Sequence, residues 1–380
     1  MLKLLNSMKK TIFNNLFNEV TLFFLVCSLT LTLIVWIIQA VNFIDIISED
    51  GHSITTYFSY AILNIPKIYN KLLLLSFFLS IYYILGDYEN KNQLIIFWVN
   101  GITKTEFLNK LIFLSIIFTF FSLILSYFIV PFTQDKARSF IRNSNLDFFP
   151  SLIKPKKFID TVENLTIFLD EKKDDSMKKI LIKDSSIGGG SQLIISKSGK
   201  IVNNDQNKYL SLNNGIIINY GKGKKLTSFN FEQSNFDLNK YKTKTTITPK
   251  IQETKSITII KCLKNLNSDM NKKTLIDKLN CEKSFIKNLT QEIYKRTILP
   301  LYIPILCVIA SLVVLKSNNN DKFKNFKIKV FLSGIVIIIF SQISINTVSI
   351  NIHTGIATLC TPFILIFISY LLFLNKNKKF

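Results

Sequence analysis

Apolar and polar positions are sharply segregated along this chain. Six nearly charge-free windows, 20–41, 72–85, 111–130, 297–315, 330–345 and 355–374, flank a polar central stretch made of short alternating runs. A helix needs about 20 apolar residues to cross the hydrocarbon core, and four of the six windows reach that length or come close. The window 72–85 is shorter, so a crossing there must draw in Ile68 and Tyr69 and bring Lys71 to the boundary. A lysine at the bilayer centre costs on the order of 3 kcal/mol, whereas one near a helix end can snorkel to water. Pro66 then falls at the outer end of this span and Pro131 stops the third, where a missing N–H does least harm. The first window is too long for the apolar region of a secretory signal and lacks a small-x-small cleavage site, so a retained span is expected.

The central stretch predicts β structure. Runs of KKFID, NLTIFLD, KKILIKD, QLIISKS, KYLSL, GIIINY and LTSFNFEQSNFDL alternate with the turn clusters EKKDDS, SIGGGS, KSGK, NNDQN, LNNG and GKGKK. Seven or so strands at this spacing suggest a sandwich, jelly roll or barrel-like sheet without crossover helices. Leu275, Leu279, Ile286, Leu289 and Ile293 then recur at helical spacing and are expected to carry the chain back to the fourth span. The organisation expected is an α-helical membrane protein with six transmembrane helices in a 3+3 arrangement and an inserted all-β, jelly-roll-like domain. Its parts are residues 1–131, 132–270 and 271–380.

Composition refines the picture without replacing it. The 380 residues are 48% hydrophobic, with 33 Phe, yet 47 Lys and Arg outnumber 25 Asp and Glu to give a net charge of +22. Lys, Asn, Ile and Phe are enriched together, as a nucleotide bias of the genome would produce, so the bulk charge does not by itself indicate a nucleic-acid partner. Short-loop lysines set orientation. Lys3, Lys9 and Lys10, the group Lys316, Lys322, Lys324, Lys327 and Lys329, and the C-terminal NKNKKF share one side if there are six spans. That side is expected to be cytoplasmic. The loops holding Asp45, Glu49, Asp50, His52 and His353 would face outward, together with the β-domain. Long domains translocate largely regardless of charge.

Enzymatic chemistry has little to build on. His52 and His353 sit on separate loops and offer no metal site or triad, and no G-x-x-x-x-G-K-[ST] phosphate loop occurs. No cofactor is expected. Cys262 and Cys281 would meet as a disulfide in an oxidising compartment, but their spacing does not compel it. One loop stands out. Between the second and third windows, LIIFWVNGITKTEF places Leu94, Trp98 and Ile102 on one helical face with Ile95 beside them, then Gly101 to end that helix, and Thr103 with Glu106 as a capping box for the next. A headgroup-layer helix anchored by Trp98 and a knob for a cytoplasmic partner both fit this pattern.

These stretches, in this order, resemble the LptF/LptG family, the permease subunits of the lipopolysaccharide export machine. Its loop pattern D-S-E-L-x-x-L-R-A-x-G-I-S aligns with KNQLIIFWVNGIT, where Leu94, Gly101, Ile102 and Thr103 fit. Gln93 stands in place of the glutamate and Trp98 in place of the arginine, with Glu89 one turn earlier as candidate carboxylate. The pattern E-L-x-x-R-x-x-x-P-L aligns with Glu292, Arg296, Pro300 and Leu301, and the second proline at the start of the family's second span is replaced by apolar residues near Leu74. LIKPKKFIDTVENLTIFLDE and FNFEQSNFDL look more like the LptF branch.

The resemblance implies a Gram-negative inner-membrane permease of an ABC transporter, with both termini cytoplasmic and the β-domain periplasmic. ATP hydrolysis is then expected in a separate, LptB-like ATPase, a dimer, coupled through Glu89, Gln93, Leu94, Trp98 and Gly101 near 92–101. Further partners implied are a paralogous LptG-like six-span chain, an LptC/LptA-like periplasmic jelly-roll bridge with a single-span member, and lipopolysaccharide itself. Candidate substrate contacts are Gln39, Lys67, Lys71, Lys136, Arg138, Lys295 and Arg296. The first span, where family members often carry a base, offers only Thr30, Thr32 and Gln39. A mechanotransmitting ABC subunit that moves no lipid and a membrane scaffold or sensor with an outward β-domain are the alternatives.

Overall fold

The computed structural model describes residues 2–44, 54–143, 155–162, 164–173, 176–185, 190–204, 207–221, 226–237, 250–268, 274–276, 279–281, 285–316, 323–348 and 352–379. Asp45, Glu49, Asp50, His52 and Lys322 lie outside them. Eleven α-helices follow in chain order among the described residues: α1 (Leu2–Asn42), α2 (Ile54–Leu63), α3 (Ile65–Asn90), α4 (Leu94–Val99), α5 (Lys104–Ile124), α6 (Val130–Asn143), α7 (Ser256–Ser268), α8 (Ile286–Thr297), α9 (Tyr302–Ser311), α10 (Phe323–Thr347) and α11 (Ile352–Lys379). Among the described residues, six stretches are long and apolar enough to cross a membrane: Met8–Asn42, Ile54–Asn90, Lys104–Ile141, Ile286–Leu315, Phe323–Thr347 and Thr358–Asn377. The chain divides into two compact units, one built from Met1–Ile37, Leu63–Asp135 and Pro249–Phe380 and the other from Ile38–Ile62 and Lys136–Thr248.

The first unit is a helical bundle centred on α9. Every residue from Tyr302 to Ser311 is buried, and α9 packs against α3, α5, α10 and α11. Close helix approach is bought by glycine at Gly334, where any Cβ would run into the ring of Phe78. Apolar side chains on α1 and α11, such as Leu22, Val26, Ile37, Phe363 and Phe367, point outward, as helices bathed in hydrocarbon allow.

Pro131 does not end the third span. A π-helical turn over Leu125–Ile129 leads directly into α6, with Pro131 in its first turn. Proline cannot return an N–H to the carbonyl four residues back, and the widened π turn is a recurrent way of inserting such a defect into a long helix. The expected helix across Leu275–Ile293 is also revised. Leu275 and Leu279 lie on a short hairpin, β7 (Thr274–Ile276) and β8 (Leu279–Cys281), and helix α8 starts at Ile286. Just before it, the β-branched run SITII forms the start of α7, because Ile259 and Cys262 pack with Cys281 and Leu289, and such burial overrides intrinsic propensity. Cys262 and Cys281 are joined as a disulfide, with Cα atoms 5.8 Å apart.

The second unit holds one six-stranded antiparallel sheet in simple sequential order: β1 (Ile159–Val162), β2 (Leu165–Lys173), β3 (Ser176–Asp184), β4 (Ser191–Asn204), β5 (Asn207–Tyr220) and β6 (Leu226–Asp237). KYLSL and GIIINY are one strand, and neither KSGK nor LNNG is a turn. They face each other across the β4–β5 ladder, with Gly199 opposite Leu212 and Ser198 opposite Asn213. Pairing lapses at Asp170/Lys179, Lys179/Lys197, Lys197/Asn214 and Asn214/Glu232, and resumes in unchanged register beyond each. Lys179 and Asn214 have φ of 51° and 52°. The sheet is therefore creased along one transverse row. Because the left-handed residue shifts the alternation by one, Met177 and Ile180 on β3 both face inward, as do Leu212 and, beyond the crease, half-buried Ile217 on β5. The inner face is apolar on both sides of the crease, from Leu165, Ile167 and Leu169 to Leu210 and Phe236.

Candidate functional site

The loop between α3 and α5 is built from two successive helix stops. Helix α3 ends with Asn92 at φ 57°, its N–H bonded to the Glu89 carbonyl and the Gln93 N–H to the Tyr88 carbonyl at 2.8 Å. Nine residues after Asn92, α4 ends the same way, with Gly101 at φ 72°, the Gly101 N–H on Trp98 and the Ile102 N–H on Phe97. Each is a Schellman motif, in which a left-handed residue lets two N–H groups close back on the last turn. Thr103 then caps α5 by accepting from the Glu106 N–H. The Glu106 carboxylate pairs with Lys9 of α1 at 3.4 Å.

These stops fix which side of α4 is free. Leu94, Phe97 and Ile102 are buried in the bundle core, Phe97 edge-on to Phe13 and Phe107. Trp98 is half-buried against Phe107. The face left outside consists of Ile95, Ile96 and Val99, the last 80% exposed. Among the coupling candidates, then, Leu94 and Glu89 are buried within the chain itself. Gln93 lines a cleft of about 490 Å³ with Asn15, Asn18, Glu19 and Tyr88. In the unbroken apolar run LIIFWV no position stands out from its neighbours, so only the packing of Leu94 and Phe97 reveals that Ile96 and Val99 face outward.

At the other end of α3 a second polar group assembles. Lys67 lies within electrostatic reach of Glu292, Lys250, Glu253 and Lys71. Lys67, Lys71 and Lys250 are exposed. Arg296, expected to face substrate, is 3% exposed and fully engaged inside the bundle. It holds Glu292 through Nε at 3.0 Å and Nη2 at 2.9 Å. Its Nη1 donates to the Thr254 carbonyl and to Ser256 Oγ, both at 2.9 Å, and Nη2 to the Gln252 carbonyl at 3.1 Å. Ser256 Oγ in turn donates to the Tyr127 carbonyl at 2.7 Å. Nearby, Gln134 donates to the Asn64 side chain at 3.0 Å.

Lys295 is half-buried on α8, while Gln39, Lys136 and Arg138 fall in the second unit on α1 and α6. Lys250 joins Lys67 and Lys71 although it stands far from them in sequence, beside no apolar window that would flag it.

The arrangement has relatives. A sequence family described as lipopolysaccharide export system permease LptF/LptG matches residues 15–375. An uncharacterised protein, RP871, of Rickettsia prowazekii strain Madrid E is 22% identical over 209 residues, covering 55% of this chain and 58% of the relative. The chain thus spans less than two thirds of that relative's length. The family match reaches from within the first apolar stretch to within the sixth and includes the turn at Gly101 and the inserted sheet, and so this chain belongs to the LptF/LptG family of lipopolysaccharide export system permeases.

Proposed function

We propose that this chain is the membrane-embedded subunit of an ABC-type exporter that lifts lipopolysaccharide from the inner membrane. A separate cytoplasmic ATPase dimer powers it by docking on Ile95, Ile96 and Val99. The observation that carries this reading is the outward face of α4. A six-residue helix pinned by a left-handed residue at each end and keyed into the core by Leu94 and Phe97 can pass a push from its exposed side to α3 and α5 without deforming. No phosphate loop exists in this chain, so nucleotide chemistry belongs to the partner.

Orientation follows from the lysine-rich loops, which favour the cytoplasm, and from the Cys262–Cys281 disulfide, which favours an oxidising compartment for α7 and β8. The creased sheet then lies in the periplasm. Its apolar inner face suits acyl chains, and its edge strands β1 and β6 suit strand-by-strand continuation into a jelly-roll bridge and a single-span partner. The outward apolar faces of α1 and α11 suit a paralogous six-span chain and lipid between the two. Lys67 and Lys71, with Lys250 beside them, suit the lipid's phosphates.

Affinity purification from mild detergent tests the reading. The wild-type chain should bring down an ATPase and a related six-span protein, and Val99→Asp should lose the ATPase while keeping the six-span partner. Leu94→Asp is a poor probe, since it places a charge in the core. Unchanged ATPase recovery with Val99→Asp, or no ATPase with the wild type, would favour a scaffold or sensor.

A further inference from the structure

We propose that Arg296 is a positioning residue that latches the segment 250–256, by which the chain returns from the β-domain, onto the third and fourth spans, so that rearrangement of those spans moves that segment. This rests on the export reading above. The latch is a closed circuit. From α8, Arg296 donates to Ser256 Oγ and to the carbonyls of Thr254 and Gln252. Ser256 donates onward to the Tyr127 carbonyl in the π turn of the third span. Ser126, in the same turn, lies 3.0 Å from the Arg296 carbonyl.

The chemistry explains why these groups meet. Pro131 has no N–H to give the Tyr127 carbonyl four residues before it, which leaves that oxygen open to Ser256. A guanidinium presents five N–H donors in a fixed planar fork. Glu292 takes Nε and one side of Nη2, and the returning segment takes the rest, so a lysine could keep the charge but not the geometry. Breaking a buried charge from its partners is strongly destabilising, so segment, third span and fourth span move together or not at all. The Ser126 proton has competing acceptors, the Ser122 and Leu123 carbonyls of its own helix at 2.8 and 3.3 Å and the Arg296 carbonyl at 3.0 Å. Its one hydroxyl can therefore follow a change in helix packing.

Two measurements on the full chain test the latch. In the first, hydrogen exchange is followed in detergent or lipid nanodiscs. Arg296→Lys and Ser256→Ala should each accelerate exchange at residues 251–259 about tenfold, with α9 amides unchanged. Unchanged exchange there, or equal loosening of α9, would overturn it. In the second, the chain is purified with its ATPase and six-span partner. Arg296→Lys should leave ATP turnover within about twofold while lipid released per ATP falls about tenfold, a coupling change of ordinary size for linked sites. Hydrolysis and release falling together would overturn it, as would wild-type release per ATP. If Arg296→Lys fails to accumulate, Ser256→Ala supplies both readings, with a smaller loss of release per ATP. A wild-type complex that releases no lipid would sink the export reading instead, and the exchange measurement would then decide the latch alone.

Discussion

Gly101 shows how much one backbone angle decides. Its φ of 72° lies in the left-handed region, and a Cβ there would meet no atom within 4 Å. Space is therefore not the issue, and the cost of substitution is the backbone strain itself, about 1–2 kcal/mol for an ordinary L residue. Asn tolerates that region, as Asn92 does at the preceding helix stop. Gly101→Asn should therefore preserve ATPase co-purification, whereas Gly101→Val should lose most of it, read by the ATPase recovered per chain. Equal recovery for the two would mean the turn does not set the docking face. Gly101 was legible from sequence because glycine after an apolar helical run is a known stop. Arg296 was legible as a charged residue at a membrane edge but not as a buried one, since, Glu292 apart, its acceptors lie some forty positions earlier in the chain.

At the level of elements, the returning segment is held at two points, by Arg296 and by the disulfide between α7 and β8. The Cys262–Cys281 bridge closes a 19-residue separation, for which chain entropy gives a stabilisation of about 3 kcal/mol. Non-reducing preparations should leave both thiols unlabelled by a maleimide, and reduction under denaturing conditions should add two labels. Cys281→Ser should loosen α7 against α8, seen as faster exchange of α7 amides, while the spans keep theirs. Labelling of Cys262 without reduction would refute the bridge. The sheet offers the contrasting case. Apolar alternation located its strands, but the crease through Lys179 and Asn214 shifted that alternation at midpoint. Paired strands that change phase together look, in one dimension, like two shorter strands and a turn.

For the whole molecule, the decisive quantity is how many times the chain crosses the bilayer between α4 and the sheet. One span, Lys104–Ile141, separates them in sequence, so they should open to opposite compartments. With Cys27, Cys307 and Cys360 replaced by Ser, a membrane-impermeant maleimide applied to intact cells with a permeable outer membrane should label Lys197→Cys. It should label Asn100→Cys only after the inner membrane is opened. Both positions reacting alike would remove the basis for a cytoplasmic ATPase driving a periplasmic domain.

The sequence alone determined that six helices are long and apolar enough to span a membrane, that a β-rich insert divides them three and three, and that a helix stop falls at Gly101. Each is a local property, carried by runs of neighbouring residues whose hydropathy or backbone freedom is the cause. Only the tertiary structure decided that Ile95, Ile96 and Val99 face outward, that Arg296 turns inward, that Lys250 joins Lys67, and that Cys262 reaches Cys281. Those outcomes depend on which distant segments fill the space around each side chain, and burial of that kind is a property of the packed bundle rather than of the residues near it in the chain.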